Sequence, residues 1–219
     1  MSGNELAIDQ PEKFEFSAEN LKLIEAIIAK YPAGRQASAV IPLLDIAQRQ
    51  HDNWLPKAAI ENVAEILEMA PIRVLEVATF YTMFNLKPVG KYFLQVCKTT
   101  PCWLRGSDDV LKCIGDKLKI SNGETSDDGN FTLLEVECLG ACVNAPILQV
   151  NDDFYEDLDY DNTSLLLDKL RDGKPTKPGS LIGRNQSENI DGATTLTTLR
   201  DTEGTVPAFL KTKTQDRNS

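Results

Sequence analysis

Histidine occurs once in 219 residues, and positive charge is scarce: 23 lysines and arginines stand against 33 aspartates and glutamates, a net charge of −10. A field of that sign repels phosphate backbones and excludes nucleic acid as a partner class. No apolar run reaches the roughly 18 residues that a membrane-spanning helix needs, so any membrane link passes through partners. The chain also lacks a G-x-G-x-x-G after a strand, a phosphate loop, a Ser-His-Asp set, internal repeats and low-complexity tracts. The one histidine, His51, lies in the polar run QRQHDNW and reads as a solvated surface residue. No catalytic residue emerges, and chemistry on a substrate is assigned to a partner. The first residues, MSGNELAIDQPEKFEF, have neither a basic stretch followed by an apolar one nor an Arg-rich, acid-poor character. The expectation is a cytoplasmic, bacterial protein.

What is present is enough apolar content, 42%, to bury a real core. The first ninety residues carry helical periodicity. After Ser17 as N-cap, Leu21, Ile24, Ile28 and Tyr31 share one face, and Pro32 with Gly34 ends the run. A second helix is expected from Ser38 to Arg49, with Pro42 in its first turn. A third opens at Pro56 with Ile60, Val63, Ala64 and Leu67 inward, and Pro71 starts a fourth, PIRVLEVATFY. Four short amphipathic helices make a small bundle.

At Gly90 the pattern changes. KYFLQVC reads as a strand ending on Cys97, and a helix is expected from about Cys102 to Leu118. The loop SNGETSDDGN leads to a second strand, FTLLEVE. PILQVND and Phe154-Tyr155 read as a hairpin turning at Asn151, Asp152 and Asp153, and DNTSLLLDKLRDG as a helix stopped at Gly173. The predicted class is α/β (α+β), with a four-stranded sheet and a βαβ crossover at its start. Beyond residue 172 the chain is rich in Thr, Gly and Pro and has no usable period.

Five cysteines without a secretion signal argue against a disulfide framework. VCKTTPCWLRG pairs Cys97 with Cys102, and CLGAC pairs Cys138 with Cys142, giving C-x4-C-x35-C-x3-C. Each pair follows a predicted strand of one sheet, so the two turns can meet at one edge. Four thiolates need a cation, and spacing leaves three readings open: a 2Fe-2S cluster, a structural zinc ion, or a thiol redox pair or merely buried cysteines. The longer x3 and x4 loops favour the wider 2Fe-2S group over the C-x2-C knuckles of zinc ribbons.

The neighbours of the cysteines bear on the same question. Gly140 and Ala141 allow close backbone approach, and Cys102, after Pro101, opens a helix whose free N–H groups face a negative site. Lys98 and Arg105 read as supporting charge or solvated cations, and Pro146 as a candidate cis-proline. Cys113, mid-helix in DDVLKCIGDKL, is assigned to packing, and Trp103 to the core rather than to a lid. Asp127-Asp128 and DDFYEDLDYD lack EF-hand spacing and read as solvated acidic faces.

The strings VCKTTPCWLRGSDDVL and VECLGACVNAPILQVNDDFYEDL, with LPKAAIENVAEILEM and VATFYTMFNLKPVGKY before them, resemble the thioredoxin-like 2Fe-2S subunit of proton-pumping NADH:quinone oxidoreductase, respiratory complex I. The resemblance covers roughly residues 14 to 172. It implies a four-helix bundle (17–89) and a thioredoxin-like 2Fe-2S domain (90–172); outside its reach, the chain reads as an N-terminal arm (1–16) and, from its composition, an extended or disordered tail (173–219). It implies one 2Fe-2S cluster on Cys97, Cys102, Cys138 and Cys142, with FMN and NADH on a partner subunit. The implied role is electron exchange with that flavin, beside neighbouring peripheral-arm subunits on the cytoplasmic side of the bacterial inner membrane. The same motif also occurs in the equivalent subunit of NAD-linked hydrogenases and formate dehydrogenases. A zinc-stabilised interaction module is the reading from another class.

Overall fold

Ser17 accepts a hydrogen bond from the Asn20 N–H and so caps α1, Ala18–Ile28. The computed structural model describes residues 6–192; the expected arm and tail extend beyond that range at each end. A short 3-10 turn, Gln36–Ala39, leads into α2, Val40–Gln50, with Pro42 in the first turn, where no intrahelical donor is required. Pro56 is the N-cap of α3, Lys57–Ile66, one position earlier than expected, and Pro71 is the first residue of α4, Pro71–Phe80. Ile24, Leu43, Leu44, Ile60, Val63 and Val74 are buried together, each such burial contributing about 1.5–3 kcal/mol.

Two expectations fail here. Leu21 is exposed, because the stripe that α1 turns inward runs through Ile24, Ile27 and Ile28 and leaves Leu21 at its rim. His51 is half-buried rather than solvated: the chain turns after α2 and packs its ring edge-on to Trp54 and near Phe14, leaving Nδ1 buried without a partner.

After Gly90 come β1 (Tyr92–Cys97), α5 (Thr100–Leu104), α6 (Ser107–Leu118), β2 (Phe131–Val136), β3 (Leu148–Val150), β4 (Asp153–Glu156), α7 (Tyr160–Arg171) and β5 (Gly179–Ser180). The sheet runs β2-β1-β3-β4-β5, with β1 parallel to β2, β3 antiparallel to β1 and β4, and β5 parallel to β4. It therefore has five strands, not four; the fifth comes from the stretch that lacked any period. The single helix expected from Cys102 to Leu118 is broken by Gly106, whose φ of 102° no helix accommodates. Leu94, Val110, Ile114, Phe131, Leu148 and Leu167 form the second core under α6 and α7.

Asp127, Asp128, Asp152, Asp153, Asp159 and Asp161 are exposed, as a solvated acidic face requires, but several of the acidic side chains also tie the fold and Asp157 is buried. Asp128 ties the loop before β2 by accepting from Ser126 and Asn130, and those bonds hold its carboxyl at about 2. Asp152, on the β3–β4 turn, receives two hydrogen bonds from Arg49 of α2, at 2.7 and 3.1 Å. That fork joins the helical part to the sheet. Asp157 is buried against Arg184, and Asp159 is the N-cap of α7 in a capping box with Asn162.

Candidate metal centre

Parallel pairing brings the carboxyl ends of β1 and β2 to one sheet edge, with Cys97 opposite Val136. The chain leaving β1 carries Thr99 and Cys102; the chain leaving β2 carries Cys138 and Cys142. The approach to β3, where the Ala145–Pro146 bond is cis, reaches the same edge, and Cys97 N–H donates to the Ile147 carbonyl at 3.2 Å. Cys97 and Cys102 are buried, whereas Cys138 and Cys142 are exposed. The Cys138 and Cys142 sulfurs are 3.5 Å apart. Cys97 and Cys102 engage each other, and Cys97 is within electrostatic reach of both outer sulfurs. Cys113 lies away from them, buried in the second core beside Val110 and Ile114.

Backbone and hydroxyl donors surround these sulfurs. Gly140, at a φ of 83° that suits glycine, donates its N–H to Cys138 Sγ at 3.4 Å. Burial pushes the Cys97 thiol up, but the Thr99 hydroxyl and the N–H groups of Leu139 and Thr99 bring it below its ordinary value. Burial and the Cys97 sulfur push Cys102 up to about 12, against a hydrogen bond from the Ile147 backbone. Gly140 N–H, then Cys142 and the Thr99 hydroxyl, lower Cys138, and the Cys138 contact raises Cys142. Each pair thus joins one thiol shifted down to one shifted up, and a bound cation would displace the thiol protons.

Thr99 escaped the sequence reading. It occupies the N-cap of α5, where a threonine hydroxyl ordinarily accepts from the helix amides, yet it makes no such bond and lies 3.3 Å from Cys97 Sγ. The one available signal was its hydroxyl two residues past a cysteine. The helix-dipole argument for Cys102 does not hold, since α5 has only five residues. Trp103 is 56% exposed rather than in the core: the short helix α5 turns its Cys102 face inward and leaves Trp103 and Leu104 in solvent. Lys98 pairs with Asp108 at 3.6 Å and Glu135 at 3.5 Å, and Arg105 is exposed.

Four sulfur donors in two pairs, amide donors aimed at them, and one buried side are what a 2Fe-2S group needs, so the residues present fit it.

The profile of the thioredoxin-like [2Fe-2S] ferredoxin family matches residues 24–171. The chain is 60% identical over 158 residues to an NADH-quinone oxidoreductase subunit of Rickettsia bellii (strain RML369-C), covering 72% of this chain and 95% of that one. It is 52% identical over 183 residues to the mitochondrial NADH dehydrogenase [ubiquinone] flavoprotein 2 of Dictyostelium discoideum, covering 84% and 74%. Among solved structures it resembles the NAD+-reducing [NiFe]-hydrogenase in the air-oxidized state, with a TM-score of 0.55, 18% identity and coverage of 63% of this chain and 23% of that one. At that identity the likeness is one of fold.

Proposed function

The chain belongs to the thioredoxin-like [2Fe-2S] ferredoxin family, and on that premise we propose that it is the iron-sulfur electron-transfer subunit of an NADH:quinone oxidoreductase. Cys97, Cys102, Cys138 and Cys142 would hold one 2Fe-2S cluster, which supplies one-electron transfer when bound. The observation that carries this reading is the meeting of two cysteine pairs at one sheet edge, each within reach of backbone N–H donors.

The chain's own residues divide the remaining work. Cys97 and Cys102 sit under the cover of Ala145 and Ile147 and keep water from the inner side. Cys138 and Cys142 face outward, so electrons pass on that side. Trp103, Leu104 and Val143 are exposed apolar side chains on the segments that carry Cys102 and Cys142, and they suit contact with a protein partner. That partner is the subunit that binds NADH and FMN, with other peripheral-arm subunits around it. No helix among the described residues is long and apolar enough to cross a membrane; the proposed tie to the cytoplasmic face of the inner membrane runs through the complex. The names of the near relatives favour this assembly over an NAD-linked hydrogenase or formate dehydrogenase.

Co-expression with the NADH- and flavin-binding partner tests the proposal. A stable pair in which NADH reduces the cluster of this chain supports it. A cluster that stays oxidised while the flavin is reduced contradicts it.

A further inference from the structure

The segment after α7 packs back against the turn that carries Cys142. Gly179 and Ser180 pair with Tyr155 and Glu156, and Leu181 N–H donates to Glu156 O at 3.0 Å. Four residues on, the Arg184 guanidinium is buried: its side chain is 8% exposed and that of its partner Asp157 is 3%. It donates to both Asp157 oxygens, through Nε at 3.1 Å and through Nη2. It also donates to the Val143 carbonyl through Nη2 at 3.2 Å and to the Glu188 carbonyl through Nη1 at 3.2 Å. Val143 is the middle residue of the 3-10 turn Cys142–Asn144.

A second tie runs beside the first. Asn144 Nδ2 donates to the Gln186 carbonyl at 2.7 Å, and Asp157 N–H donates to the Asn144 carbonyl at 2.7 Å. The three-residue turn that begins at Cys142 exposes both Cys142 and Val143, so the side chains of the turn add little apolar contact and these polar ties bear on its position. The strap lies past residue 171, where the match to the family profile ends.

We infer that residues 179–188 are a strap that positions the Cys142 turn, with Arg184 as its positioning residue. This rests on the cluster reading above. Arg184 does not touch a sulfur; it acts through the Val143 carbonyl and through Asp157. A buried fork of this kind is rigid, whereas a lysine there would offer one ammonium in place of a planar set of donors.

The test uses the full chain with Arg184→Gln, Arg184→Lys and the double variant Arg184→Gln/Asp157→Asn, which leaves no buried carboxylate unpaired if the single change fails to fold. In the cluster-free chain, hydrogen exchange is expected to speed up at least several-fold at the Asn144 and Ala145 amides in the Gln variants, while the β1 and β2 amides keep their protection. In the loaded chain, the reduced-state EPR line shape should change and a chelator should remove iron several-fold faster, with Arg184→Lys in between. Unchanged exchange, EPR and iron release in a folded Gln variant or double variant would overturn the strap. An unsubstituted chain that carries no iron would instead overturn the cluster reading, and the exchange experiment would still decide whether the strap holds the turn.

Discussion

The Thr99 hydroxyl stands 3.3 Å from the Cys97 sulfur while leaving the N-terminal amides of its own short helix without a side-chain cap. A cap of that kind contributes about 1 kcal/mol to a helix. Here the hydroxyl serves the sulfur edge instead.

Replacing Thr99 by valine keeps the shape and removes the donor. Hydrogen bonds to the sulfurs raise a cluster's reduction potential, so potentiometric EPR titration should give a more negative midpoint for Thr99→Val and a nearly unchanged one for Thr99→Ser. Equal midpoints for all three chains would mean that the hydroxyl does not act on the sulfurs.

In the cluster-free chain at neutral pH, Cys138 should be the first cysteine alkylated. It is exposed and its thiol is lowered by the Gly140 N–H, the Cys142 sulfur and the Thr99 hydroxyl. Cys102, buried and pushed up to about 12, and Cys113, buried and raised chiefly by desolvation, should be last. Mass spectrometry of iodoacetamide-treated protein reads the order, and loading the chain with iron and sulfide should protect Cys138.

Cys113→Ser places a hydroxyl in an apolar core at a cost of roughly 1–3 kcal/mol and should leave the visible spectrum of the loaded protein intact. Cys138→Ser should weaken or alter that spectrum with little effect on thermal stability. Loss of the spectrum in the Cys113 variant would overturn the proposed ligand set.

Arg49 holds the Asp152 carboxyl below its usual value, mainly through their hydrogen bonds. A carboxylate whose folded value is lowered contributes stability that is fully present above its unfolded value of about 3.9 and lost as pH falls through the lowered one. The pair is largely exposed, so Arg49→Ala should cost less than about 1 kcal/mol at pH 7. In urea titrations that difference should shrink in acid below the usual carboxylate range. A difference that does not change between neutral pH and acid would show that Asp152 charge plays no part.

Helices and strands were legible wherever a local period or a proline marked them, as at Pro71 and along Tyr92–Cys97. The cysteine edge was legible because each pair follows a strand, and parallel pairing puts both strand ends at one side. What escaped were contacts between segments with no local pattern. Arg184 falls in the stretch without a usable period, and its meaning comes from Asp157, 27 positions earlier. His51 lay in a polar string, but Trp54 and Phe14 fold over it. Trp103 lies on a helix of five residues, too short for a period to tell its buried face, that of Cys102, from its exposed one.

The most direct test of the electron-transfer role is the visible absorption and reduced-state EPR of the full chain purified without oxygen, with iron, sulfide and zinc measured on the same sample. A brown protein with about two irons and two sulfides per chain, giving an S = 1/2 signal on reduction, is the expected result. A colourless protein with one zinc per chain would leave the fold in place and contradict the electron-transfer role.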